Sequence, residues 1–104
     1  MHTSINKFDT IDSLIHEEGL RIKAIEFHPE QDLMFIILNT KAVLHQKLSS
    51  YKSLFNADPK SLIKYELISD GTGAHWPLLD EDLSLKGFLK DELKQIVRNK
   101  QTSV

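Results

Sequence analysis

The sequence predicts an α+β fold: a small, mostly antiparallel sheet with a short N-terminal helix and a longer C-terminal helix. Three observations carry this expectation. Leu33-Met34-Phe35-Ile36-Ile37-Leu38 is an unbroken apolar run of strand length, as expected of a central strand covered on both faces. Residues 65–69 and 74–76 are strand-like and flank turn residues that include Gly71 and Gly73, which reads as an antiparallel return. Leu85, Phe88, Leu89, Leu93, Ile96 and Val97 recur at spacings of three and four, the apolar stripe of an amphipathic helix.

At 104 residues the chain is expected to form a single domain over 1–104, since smaller pieces could not hold a core. Residues 1–9 show no periodicity and are expected to fray. Thr10 is the expected N-cap of a helix over residues 11–18, with Ile11, Leu14 and Ile15 on one face and Gly19 as terminator. Residues 20–27 begin with period-two alternation, but Ile25 and Phe27 break the phase set by Ile22 and Ala24, which implies a bulge or a strand end buried on both sides. Pro29 marks the turn into the apolar run, and Asn39-Thr40 reverses the chain into residues 41–46 through a loop longer than two residues.

Leu48, Tyr51, Leu54 and Phe55 are spaced as a helix that Ser49 or Ser50 would cap. Asp58-Pro59 reads as a cap and first-turn proline for one turn ending near Ile63. Ser84 or Asp82 is expected to open the last helix, and Asp80-Glu81-Asp82 to complement its positive end. Glu92 falls inside the apolar stripe, so it is paired or rim-exposed, or the helix breaks near Asp91.

Net charge is −2, which gives no overall field toward nucleic acid or an anionic membrane. The absence of cysteine excludes disulfides, thiol catalysis and thiolate metal sites, and fits a cytoplasmic protein. No apolar run approaches the roughly 18 residues of a membrane span, and the N-terminus lacks a secretory pattern.

Four features carry candidate chemistry. Asp80-Glu81-Asp82 could hold a cation or serve as acid and base, but three adjacent carboxylates cannot converge on one ion from a regular element. The Gly71-Thr72-Gly73 spacing resembles a phosphate loop without the helix that should follow, and a turn serves it better. His75 is the one histidine of five placed beside this cluster; the five show no metal-ligand spacing. Lys86, Lys90, Lys94 and Arg98 stack every fourth residue on the last helix, a candidate nucleic-acid-binding face whose alternative is a solvated surface. No metal or cofactor is expected.

Residues 69–90, Ser-Asp-Gly-Thr-Gly-Ala-His-Trp-Pro-Leu-Leu-Asp-Glu-Asp-Leu-Ser-Leu-Lys-Gly-Phe-Leu-Lys, resemble the C-terminal hallmark of the bacterial family catalogued as domain of unknown function 2442. That hallmark runs Gly-x-Gly-x-x-Trp-Pro, then an Asp-containing segment and a short hydrophobic helix; Gly71, Gly73, Trp76, Pro77, Asp80, Glu81, Asp82 and Leu83 stand at matching places. The resemblance extends over roughly residues 20–90. It implies a small α+β protein that binds another protein, as the antitoxin of a two-gene toxin–antitoxin pair, and it supplies no catalytic residues. An added helix-turn-helix domain carried by some members is not expected in a chain of this length.

The expectation is therefore a non-enzymatic protein-binding module. Trp76, Asp80, Glu81 and Asp82 would meet a small basic protein, and a homodimer is a further candidate assembly. The first alternative is a nucleic-acid-binding regulator using Lys86, Lys90, Lys94 and Arg98. The second is a hydrolase built around His75 and Asp80, for which no nucleophile is evident.

Overall fold

The computed structural model describes residues 9–102. The expected frayed tail lies outside the described residues except for Asp9, which is the N-cap of α1 (Thr10–His16). Its carboxylate accepts from the Asp12 amide at 2.8 Å, so the cap falls one residue before Thr10. Ile15 is buried and Ile11 packs on the core, but Leu14 is exposed. Gly19 ends the segment with φ +76°, a conformation that favours glycine. The Arg21 guanidinium then donates to the Ile15 and Leu20 carbonyls at 2.6 and 2.7 Å and fixes the helix exit.

Two three-stranded antiparallel meanders follow, rather than one sheet. The first orders β1 (Ile22–His28), β2 (Leu33–Leu38) and β3 (Val43–Gln46). A register shift between Ile22 and Ala24 is the bulge implied by the phase break. It lets Ile22 and Ile25 both point inward, although they are three residues apart. Asp32, left-handed at φ 57°, accepts from the Ser49 amide and hydroxyl, at 2.8 and 2.6 Å. Ser49 thus ties two turns together instead of capping the next helix. That helix, α2 (Lys52–Phe55), follows a short 3-10 turn and has no side-chain cap.

Met34, Ile36 and Leu38 are buried, whereas Leu33, Phe35 and Ile37 are half-buried on the other side. The expectation that the apolar run is covered on both faces is therefore corrected. Among the described residues, only the inward face of β2 is fully covered.

The α3 turn (Pro59–Leu62) begins as anticipated, with Asp58 accepting from the Lys60 amide at 3.1 Å. The second sheet orders β4 (Glu66–Ile68), β5 (Gly73–Trp76) and β6 (Glu81–Ser84). Its hairpin explains both glycines. Gly71 has φ +86°, and a Cβ there would lie 3.1 Å from the Ile22 carbonyl oxygen. A Cβ on Gly73 would lie 3.2 Å from the Ile68 side chain that covers it. Gly71 lets the turn press against β1 and Gly73 gives room to Ile68, so the phosphate-loop reading has no support in the geometry.

Strand β6 is the main departure from expectation. Glu81 and Asp82 pair with β5 opposite Trp76 and His75, so they are strand residues and not acids in a helix's first turn. Helix α4 (Leu85–Thr102) starts after Ser84, whose hydroxyl accepts from the Gly87 amide at 2.9 Å. Ser84 is the cap and Asp82 is not. Ser84→Ala is expected to lower stability by about 1 kcal/mol in a urea unfolding titration, and an unchanged midpoint would contradict this role.

The core gathers Met34, Ile36, Leu54, Leu62, Trp76, Leu85 and Phe88, all essentially inaccessible. Trp76 sits where the sheets meet, near Phe27 and Tyr65 with ring centroids 6.4 and 6.2 Å away. The Tyr65 hydroxyl accepts from the Ile25 amide at 2.8 Å and links edge strand β1 to the second unit. The first turns of α4 bury Leu85 and Phe88, but Leu93, Ile96 and Val97 are more than half exposed. Among the described residues, no helix is long and apolar enough to cross a membrane.

Candidate partner-binding site

Antiparallel pairing places Glu66, His75 and Asp82 in one row across the second sheet. Side chains alternate along a strand, so these three share the face opposite buried Ala74 and Trp76. His75 Nδ1 pairs directly with Asp82 Oδ1. That hydrogen bond holds the His75 imidazolium above the usual histidine range; partial burial opposes the shift, while the charges of Asp82, Glu66 and Asp80 add to it. Asp80 stands exposed at the β5–β6 turn with φ 51°, a left-handed position that aspartate tolerates better than most residues. The result is an acidic platform with one imidazole at its centre.

Of the expected partner-binding residues, the structure brings Asp80 and Asp82 to this surface. Glu81 is half-buried and its carboxylate accepts from the Asp82 amide at 3.2 Å. Trp76 is corrected: it is fully buried and its indole N–H donates to the Leu62 carbonyl at 3.2 Å. It is a core residue, so no partner can reach it in this fold. Glu66 was not anticipated. The signal was available, because a hairpin centred between Asp70 and Gly71 necessarily sets residue 66 opposite residue 75.

The cationic ladder is also altered. Lys86 donates to Asp12 at 2.9 Å and approaches Asp9 at 3.6 Å, and the hydrogen bond to Asp12 raises its pKa. Its charge is matched within the chain by α1, so it is not a free rung. Lys90, Lys94 and Arg98 are exposed.

Glu92 proves to be paired, within an unbroken helix. Its carboxylate accepts from buried Gln46 Nε2 at 2.9 Å and from the His45 amide at 3.2 Å. Nearby, the Tyr51 hydroxyl lies 2.7 Å from Asp91 and 2.9 Å from Gln46 Oε1. Burial pushes its pKa up, and the Asp91 and Glu92 carboxylates add to the shift. This network seals α4 against β3. Among the described residues, no group of three or more His, Asp or Glu could hold a metal ion.

Two solved structures share the fold. One is a protein of unknown function from Rhodospirillum rubrum ATCC 11170, at 23% identity and TM-score 0.62, covering 70% of this chain and 88% of its own. The other is an uncharacterized protein from Chromobacterium violaceum, solved by solution NMR, at 23% identity and TM-score 0.64, covering 88% and 87%. No curated protein matches the sequence. The hallmark residues Gly71 and Trp76 lie against β1 where the two sheets meet, and the family match runs across both, from residue 22 to residue 93. The chain belongs to the family described as Protein of unknown function (DUF2442).

Proposed function

We propose that this domain is a non-enzymatic protein-binding module, the antitoxin-like member of a two-gene toxin–antitoxin pair, and that its partner is a small basic protein. The observation that carries the reading is the acidic platform of Glu66, Asp80 and Asp82 around His75. Capping of α4 has little need of these charges. Ser84 caps α4, and Glu81 and Asp82 lie on a strand where a helix dipole does not act. A rigid sheet face that concentrates carboxylates favours association with a cationic surface, through both on-rate and register.

The test begins with co-purification of the full chain with the product of an adjacent gene, followed by association kinetics. Asp80→Lys is the cleaner variant, because Asp82→Lys also breaks the His75 pair. Both are expected to slow association by about tenfold or more at low salt, with the difference shrinking as salt rises. Thermal unfolding is measured alongside. Normally folded variants with unchanged association rates would overturn the reading.

A second reading, nucleic-acid binding, is favoured by the exposed Lys90, Lys94 and Arg98. It requires salt-dependent retention of DNA that disappears in Lys90→Glu/Lys94→Glu.

A further inference from the structure

The outward face of the first sheet has an ordered chemistry that the acidic platform does not use. Its central rows are Ala24–Ile37–Val43 and Glu26–Phe35–His45, taken in strand order β1, β2, β3. Phe35 and Ile37 are half-buried and Val43 is 40% exposed, so the apolar middle is incompletely covered by the described residues. Phe35 lies edge-on to His45 at a centroid distance of 5.2 Å and tilted against His28 at 5.0 Å. His28 also lies 3.8 Å from Glu26. Read across the strands, the second row is carboxylate, aromatic ring, imidazole.

We propose that this face binds a second copy of the same chain, sheet against sheet, about a two-fold axis running along β2. The order of carboxylate, ring and imidazole selects both the occupant and the axis, because an imidazole N–H donates to a facing carboxylate. Rotation about an axis parallel to β2 lays β1 of one copy over β3 of the other. Glu26 then meets His45 of the second copy, twice, and Phe35 and Ile37 pack near the axis. Rotation about an axis across the strands and through this row would instead lay Glu26 over Glu26, which like-charge repulsion disfavours. The strand-parallel axis also matches the aligned packing of face-to-face sheets, whose strand directions stay within about 30°.

Area sets the strength. Three strands about 4.8 Å apart, with some five residues each rising about 3.4 Å, give a footprint of roughly 250 Å². A standard stable interface takes about 800 Å² from each partner, so this contact is a weak and reversible one. The dimer is distinct from the partner complex proposed above, because it uses the other sheet.

The experiment is sedimentation equilibrium of the full chain across concentrations up to about 1 mM, the range in which a contact of this strength is populated. Wild type is expected to shift from monomer toward dimer within that range. Glu26→Lys and His45→Glu are each expected to weaken self-association by about tenfold or more, because the first removes the carboxylate that faces His45 and the second sets carboxylate against carboxylate. Glu26→Lys/His45→Glu, which sets an ammonium opposite a carboxylate at both places, is expected to return it to wild-type strength or beyond. Circular dichroism and thermal unfolding check that all variants are folded. Two results would overturn the proposal: a wild type monomeric throughout, or a folded double variant no stronger than the single ones.

Discussion

Trp76→Ala is expected to lower stability by about 3–5 kcal/mol, enough to unfold a large share of molecules in a domain whose total stability is about 5–15 kcal/mol. Three losses combine. The indole is fully inaccessible, so its removal leaves a large cavity between sheets that cannot collapse without moving β1 or β5. The edge-on contact with Phe27, at 6.4 Å, and the tilted one with Tyr65, at 6.2 Å, disappear with it. The Leu62 carbonyl also loses its 3.2 Å donor in a buried setting. Trp76→Phe separates these terms, since it keeps an aromatic ring and removes the donor, and should cost about 1–3 kcal/mol. Urea unfolding of both variants measures the difference. A loss below about 1 kcal/mol for Trp76→Ala would mean that the site repacks and that the sheet junction does not depend on the indole.

The fate of Trp76 illustrates what the sequence made legible and what it did not. Local patterns are legible where one element suffices: the first turns of the α4 stripe, the Asp58-Pro59 turn, the Ser84 cap and the bulge near Ile22. Strand β6 was missed because Glu81-Asp82-Leu83-Ser84 has low strand propensity, and only pairing with β5 holds it extended. The open side of β2 was misread for a related reason. An unbroken apolar run signals low polarity on both faces, but not whether anything in the chain covers them. Trp76 and Lys86 needed tertiary information. The first lies between two sheets, and the second meets Asp12 across 74 positions of sequence. The candidate site was half legible: its carboxylates stand in a conspicuous run, while Glu66 joins them only through the hairpin register.

The second large effect concerns Glu92, and its sign opposes what the apolar stripe suggests. Replacing a carboxylate between Phe88 and Ile96 by leucine would extend the hydrophobic face and, on periodicity alone, should stabilise. The structure predicts a loss. Glu92 accepts from Gln46 Nε2 at 2.9 Å and from the His45 amide at 3.2 Å, and Gln46 is only 1% exposed. Without the carboxylate, Gln46 Nε2 keeps just a long 3.5 Å contact to the Phe88 carbonyl. A buried donor left unsatisfied costs about 1–3 kcal/mol, so Glu92→Leu and Glu92→Ala should both destabilise by that amount. Glu92→Gln retains an acceptor oxygen and should cost less than about 1 kcal/mol.

A double-mutant cycle then isolates the pair. In Glu92→Leu/Gln46→Leu neither polar partner remains, and the combined loss should fall well short of the sum of the single losses. Hydrogen exchange adds a local readout: in Glu92→Leu the His45 amide should exchange faster. The consequence reaches past stability, because β3 is an edge strand of the first sheet. Both backbone polar groups of His45 are occupied, the amide by Glu92 and the carbonyl by Gln95 at 3.2 Å. An edge stripped of such partners is free to pair with another chain. Glu92→Leu should therefore also raise the aggregation rate, measured by light scattering at matched fractions folded. If Glu92→Leu instead stabilises the domain, the carboxylate contributes nothing to the closure of α4 on β3.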